Sequence, residues 1–306
     1  MNNYHDFLKS KIKSATSSGF CIEADRLNEN LFRWQKDVVR WSLAKGKSAL
    51  FEDTGLGKSI QQLAWADEVV KHTGGAVMIY APLSVAYQTQ REGEKFGIYS
   101  NVVRQQSEVK AGINIANYDI LDHFDAAVFQ GVVLDESSIL KNFSSKTKQF
   151  IINNYKCVPY RLACTATPAP NDYMELGNHA EFLGVMTRTE MLSTFFVHDG
   201  SDTAKWRLKG HAEAKFWEWI ASWACVIKTP ADLGYSDKGY ILPDLKIQQH
   251  IVESNIFNDG QGQELLFTQV AQTLNERRYA RRESLSERVS KAAEIANGSD
   301  EQVLIW

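Results

Sequence analysis

Two short stretches carry residue types that can do chemistry together. "EDTGLGKS", Glu52 to Ser59, ends in the Gly-Lys-Ser of a phosphate-binding loop, whose general pattern is G-x-x-x-x-G-K-[ST]. Glu52 stands where that pattern has its first glycine. In such a loop backbone N–H groups surround the phosphates, and a helix N-terminus adds positive potential. Thr54, Gly55, Leu56 and Gly57 would form the cradle, Lys58 would reach the β and γ phosphates, and the Ser59 hydroxyl would bind Mg²⁺. The second stretch is "VVLDES", in which an apolar run ends in Asp135 and Glu136. Beside a phosphate loop, Asp135 suits the Mg²⁺ shell and Glu136 suits the general base that polarises an attacking water. Alone, such an acidic pair is more often a solvated loop or a helix cap.

Two further stretches are weaker taken singly. "TATP" offers the hydroxyls of Thr165 and Thr167, which could link the γ-phosphate region to a neighbouring surface, or could form an ordinary polar turn before Pro168. "LFRWQ" offers Gln35, whose amide has the donors and acceptor to meet both polar edges of adenine. Read by itself it is a helix start, with Trp34 in the core.

These residues need elements to position them. "KSALFEDTG" reads as a short strand into the glycine loop, and "SIQQLAWADEVVKH" follows with helical spacing of Ile60, Leu63, Ala64, Val69 and Val70. "AVMIYAP", "GINIANY", "AVFQGVVLDE" and "YRLACTATP" are further strand candidates. Near-continuous apolar runs suit parallel strands covered on both faces, and their alternation with helices implies a doubly wound sheet. Ligands then bind at the carboxyl ends of the strands. Those ends hold Asp53–Ser59, Pro82–Ser84, Asn117–Asp119, Asp135–Ser138 and Thr165–Pro168.

Past residue 185 the pattern changes. A loop with Gly200 and Gly210 precedes an amphipathic helix, and the region holds Trp206, Trp217, Trp219 and Trp223. "ADLGYSDKGYILPDL" reads as a connector and "LKIQQHIVE" as an alternating strand. Residues 260–297 read as a long helix with Leu265, Leu266, Val270, Leu274, Leu285 and Val289 as its apolar stripe. Val303 to Trp306 read as the beginning of a buried strand, which points to a further domain beyond or, alternatively, to a short strand pairing at the edge of the first domain.

The 306 residues are 44% hydrophobic and 23% charged with a net charge of −3, which suits a globular chain able to bury a core. No apolar run reaches the ~20 residues of a membrane span, and the polar N-terminus lacks a signal-peptide core. Cys21, Cys157, Cys164 and Cys225 have no metal-ligand spacing and read as free thiols in a reducing, cytoplasmic setting.

Taken in order, these stretches resemble the superfamily 2 helicases and translocases of the Swi/Snf type. "LFRWQ" resembles that group's adenine-reading segment, which would make Trp34 and Gln35 nucleotide contacts. "EDTGLGKS" resembles motif I, in which an acidic pair commonly replaces the first glycine. "APLSVAYQTQREGEKF" resembles motif Ia and "INIANYDIL" motif Ib, which would bring Pro82, Leu83, Ser84, Asn117 and Tyr118 to nucleic acid. "LDESSILKN" resembles motif II with its trailing Lys141 and Asn142, and "RLACTATPAPNDYMEL" resembles motif III, with Thr165 and Thr167 as coupling residues. Motif II of the family usually ends in a histidine or an equivalent that contacts motif III; here Ser137 and Ser138 follow the carboxylates. The plain form of the motifs is bacterial or phage-like.

The resemblance implies an α/β, RecA-like P-loop lobe with ATP and Mg²⁺ as ligands, and nucleic acid, duplex DNA above all, as partner. The expected layout is an N-terminal extension (1–27), a lobe core (28–184), a Trp-rich insertion and connector (185–245), and a linker into a second RecA-like lobe (246–306). Motifs IV to VI, with the family's arginine finger, would lie beyond Trp306; Arg277, Arg278, Arg281 and Arg282 read as a solvated helix face or a phosphate-backbone contact. ATP-driven translocation, with weak turnover by this chain alone, is the first expectation. A nucleotide-dependent docking module using the Trp-rich segment is the alternative, and a P-loop kinase explains only the loop.

Overall fold

The computed structural model describes residues 15–141, 146–199, 202–252 and 273–305. Seven parallel strands form one sheet: β1 (Lys47–Glu52), β2 (Ala76–Ala81), β3 (Ser100–Val102), β4 (Gly112–Asn117), β5 (Phe129–Asp135), β6 (Tyr160–Thr165) and β9 (Ala224–Ile227). Their spatial order is β3-β4-β2-β5-β6-β1-β9. The five strands read in the first 170 residues are all present, and each of their expected carboxyl ends lies on one edge of the sheet.

Alternation within each strand explains the continuous apolar runs. In β2, Val77 and Ile79 face one layer while Met78 and Tyr80 face the other, and all four are buried. The first layer holds α1 (Arg33–Lys45), α2 (Lys58–Thr73) and α3 (Ala86–Lys95), packed through Val38, Leu43, Leu63 and Trp65. The second holds α4 (Lys146–Tyr155), α5 (Leu176–Leu183), α6 (Arg188–Phe195) and α7 (Glu213–Ala221), packed through Tyr155, Phe182, Phe195 and Trp219. Buried Tyr80 and Tyr155 close a hydroxyl–hydroxyl bond inside this layer.

The structure corrects several expectations in the second half. The span expected as a loop around Gly200 carries an antiparallel pair, β7 (Phe196–Asp199) with β8 (Asp202–Leu208). "ACVI", read with the preceding helix, is β9, which pairs with β1 and whose Ile227 carbonyl accepts from the Asp53 N–H at 3.0 Å. Trp219 and Trp223 are core residues, and only Trp217 of α7 is substantially exposed.

Packing divides the chain between Ile241 and Leu242. In the second unit, residues 242–252 are irregular rather than a strand. The expected long helix is, over its described part, two helices, α8 (Leu274–Glu283) and α9 (Leu285–Asn297), with Leu274, Leu285 and Val289 exposed. Leu265, Leu266 and Val270 lie outside the described residues. Arg277, Arg278, Arg281 and Arg282 are exposed on α8. Val303, Leu304 and Ile305 are exposed and not in a strand; Trp306 lies outside the described residues. Among the described residues no helix is long and apolar enough to cross a membrane.

Candidate nucleotide site

The glycine loop joins the end of β1 to the start of α2. Gly57 sits in the left-handed region (φ 77°), and a Cβ there would fall 2.6 Å from the Gln35 amide nitrogen. The left-handed angle favours glycine, and a side chain there would also have to displace the Gln35 amide. No side chain caps the N-terminus of α2, so its first N–H groups are left for a ligand. Lys58 Nζ donates to the carbonyls of Glu52 (2.9 Å) and Asp53 (3.0 Å). Ser59 lies half-buried in the first helical turn.

Glu52 is fully buried and points beneath the loop. Its Oε2 accepts from Gln61 Nε2 at 2.8 Å, while its Oε1 has no partner. Burial lifts its carboxyl to about 7, against the opposing pull of the Gln61 hydrogen bond and the Lys58 charge. Leu56 is buried as well, and its carbonyl accepts from both Gln35 (2.9 Å) and Gln61 (3.2 Å). The position that breaks the glycine pattern thus supports the loop from below, and Leu56 anchors the cradle instead of lining it.

The acidic loop leaves β5 two strands away, with β6 between. Register places Thr165 opposite Phe51 and Asp135 opposite Cys164, so the three strand ends abut. Thr165 Oγ1 donates to Glu136 Oε1 at 2.6 Å, and its oxygen also accepts from the Thr167 N–H at 3.0 Å. Burial raises the Asp135 pKa, opposed by the Gln62 amide and by Lys58, whose charge therefore reaches across from the glycine loop. Glu136 has φ 56° and is the only described non-glycine residue with positive φ. The hydroxyl of Ser137 lies 3.1 Å from Nε2 of His179 on α5.

Other expected residues are placed less simply. Gln35 adjoins the loop, but its Oε1 accepts from the Phe32 N–H (3.0 Å) while its nitrogen serves Leu56. One N–H and one lone pair remain for a base edge. Trp34 is buried against the edge of Tyr240 and presents no face to a ligand. Pro82, Leu83 and Ser84 form the turn that follows β2, with Leu83 66% exposed. Asn117 caps the following turn by accepting from the Asp119 N–H (2.8 Å). Tyr118, expected at nucleic acid, turns inward and donates to the Asp135 carbonyl at 2.8 Å. Lys141 is exposed, and Asn142 lies outside the described residues. Gln61, Gln62 and His179 were not singled out in the sequence, although adjacent polar residues within apolar helix faces were the available signal.

The site fits a magnesium nucleotide by its donor set. Mg²⁺ keeps several waters and substrate phosphate oxygens, so one hydroxyl (Ser59) and one carboxylate (Asp135) are a sufficient protein share. The SNF2-related domain family matches residues 34–198, more than half of the chain. The SWI/SNF-related matrix-associated actin-dependent regulator of chromatin subfamily A-like protein 1 of Xenopus tropicalis is 28% identical over 162 residues, covering 49% of this chain and 17% of that protein. Helicase SWR1 of Eremothecium gossypii is 29% identical over 189 residues, 54% of this chain and 12% of that protein. The chain therefore spans less than a fifth of either relative. The Sulfolobus solfataricus SWI2/SNF2 ATPase core in complex with dsDNA has a similar fold (TM-score 0.56, 23% identity), covering 68% of this chain and 47% of that one.

Proposed function

This chain belongs to the SNF2-related domain family, and from that premise we propose that it is the ATP-binding RecA-like lobe of a motor that moves along nucleic acid. The carrying observation is the meeting of the Lys58 loop, Asp135–Glu136 and Thr165 at neighbouring carboxyl ends of one parallel sheet. Phosphate oxygens would take over Lys58 from the carbonyls of Glu52 and Asp53, joined by the free N–H groups of α2. Ser59 and Asp135 would hold Mg²⁺, which neutralises charge developing on the phosphate oxygens. Glu136, held through one oxygen by Thr165, would take the proton of the attacking water on the other.

Nucleic acid would cross the strand ends at Pro82–Ser84 and Asn117, with Lys141 supplying a phosphate contact. The Sulfolobus core's complex with dsDNA supports duplex DNA as the partner. In this reading an arginine finger comes from a second lobe of the same protein. Lack of such a finger costs ~10³–10⁵ in rate, so the chain alone should bind ATP and hydrolyse it slowly. Burial of Trp219 and Trp223 favours this over a docking module built on the Trp-rich segment.

Titration with a fluorescent ATP analogue, alongside ATPase assays with and without duplex DNA, tests the proposal. Saturable binding that Lys58→Ala removes supports it. Binding indifferent to that substitution would sink it, and fast DNA-stimulated turnover by this chain alone would sink the second-lobe requirement.

A further inference from the structure

We infer that Asn178 and His179 of α5 are positioning residues that clamp the acidic loop: His179 holds Ser137 while Asn178 holds the Leu140 carbonyl, and together they fix Glu136 for its task. The inference rests on the ATPase reading above for what the loop does, and on geometry alone for the clamp.

Glu136 needs such a clamp. Its φ of 56° is costly for a residue with a Cβ, and such conformations persist only where the surroundings over-determine them. The adjoining residues are tied down at several points. Tyr118 holds the Asp135 carbonyl from β4's end, and Thr165 holds the Glu136 carboxylate from β6. On the far side, among the described residues, α5 reaches the loop through His179 to Ser137 at 3.1 Å and through Asn178 Nδ2 to the Leu140 carbonyl at 2.7 Å. His179 also meets Phe51 edge to face at 5.1 Å, and Phe51 is the penultimate residue of the strand that feeds the glycine loop. One imidazole thus touches both the phosphate-loop strand and the residue after the base.

The pair is an uneconomical way to fill space. Asn178, His179 and Ser137 are all fully buried. Asn178 Oδ1 has no hydrogen-bond partner among the described residues, and the His179 ring lies beside the Glu175 backbone. Burying polar side chains here costs free energy that leucine or alanine would avoid. The rest of α5's inward face is apolar, with Leu176, Ala180, Phe182 and Leu183 buried. Polar groups at just these two positions serve the loop, not the packing. Burial keeps His179 neutral, so its Nε2 can accept from the Ser137 hydroxyl.

The test uses His179→Leu, which fills the space without the bond, beside His179→Gln, which keeps an acceptor, and Ser137→Ala. Single-turnover hydrolysis should fall ~10-fold or more in His179→Leu and Ser137→Ala, with nucleotide affinity within ~3-fold of wild type. His179→Gln should recover part of the rate. The double variant Ser137→Ala/His179→Leu should be no slower than either single, as expected for one shared interaction. Independently of activity, amide hydrogen exchange over residues 136–141 should accelerate ~10-fold in His179→Leu. Wild-type hydrolysis by His179→Leu, additive rates in the double variant, or unchanged exchange would each overturn the clamp. Should wild type itself fail to bind nucleotide, the ATPase reading falls, and the exchange measurement still decides the clamp. If His179→Leu does not fold, Ser137→Ala carries both measurements.

Discussion

The glycine loop and the acidic loop sit on the same edge of the sheet and are built in opposite ways. The glycine loop places its left-handed backbone at Gly55 and Gly57, where it costs little, and lets Lys58 rest on two of its own carbonyls. Those contacts are exchangeable, because phosphate oxygens offer a charged acceptor in place of a neutral one. The acidic loop places its left-handed backbone at Glu136, where it is strained, and is tied by Tyr118, Thr165 and His179. One loop is arranged to change partners and the other to keep them. In the proposed function, binding and chemistry are thereby given to different kinds of backbone.

The comparison can be broken at several points. Glu136→Gln keeps the loop's shape and should lower the hydrolysis rate by ~10²–10⁴ with nucleotide affinity unchanged, read by single-turnover kinetics beside equilibrium titration. A parallel loss of affinity would mean that the acidic loop also serves binding. Lys58→Ala removes the exchangeable group and should weaken nucleotide binding about 100-fold, as expected for losing a charge-assisted contact. An unchanged affinity would move the phosphate site elsewhere.

Protonation sharpens the contrast further. Glu52 beneath the glycine loop titrates at about 7 when folded against 4.5 when free, so the native state holds its proton more tightly between those values. That contribution is present below pH 4.5 and is lost as pH rises through 7, roughly 3 kcal/mol in all. His179 behind the acidic loop is lowered by burial from 6.5 to about 4. Its stabilising contribution is present above 6.5 and is lost as pH falls toward 4. The two slopes oppose each other between pH 4.5 and 6.5. Urea denaturation at several pH values should show Glu52→Gln gaining stability over wild type as pH rises from 5 to 8. A difference that does not vary with pH would rule out a protonated Glu52 in the native state.

The smallest expected effect concerns strain itself. Glu136→Gly should be more stable than Glu136→Ala by about 1 kcal/mol in the same assay, because only glycine relaxes at positive φ. Equal stabilities would show that the surroundings, and not the side chain, set this backbone angle.

Much of this site was legible in the sequence because its residues are local. Lys58, Ser59, Asp135, Glu136 and Thr165 each follow a continuous apolar run, and such runs are the mark of strands covered on both faces. What was illegible depends on contacts between distant segments. β3 has three half-buried residues and so no apolar run, while β9 follows a Trp-rich helix with no turn signal strong enough to divide them. Trp34 and Tyr118 have the chemistry of ligand contacts, and only their packing shows them turned inward. His179 reads as one more residue of an amphipathic helix until the fold brings it to Ser137.

The position of β9 has a bearing on how the protein is made. β1 lies between β6 and β9, so its second edge stays unpaired until the ribosome has synthesised Ile227. At about 5–20 residues per second, β1 waits first for β6 and then for β9, on the order of ten seconds or more after it emerges. A nascent chain would acquire its acidic loop's neighbours first and its nucleotide loop's last support, the bond from Asp53 to Ile227, at the end. The capacity to grip a nucleotide would therefore be born late, once most of the lobe is already in place.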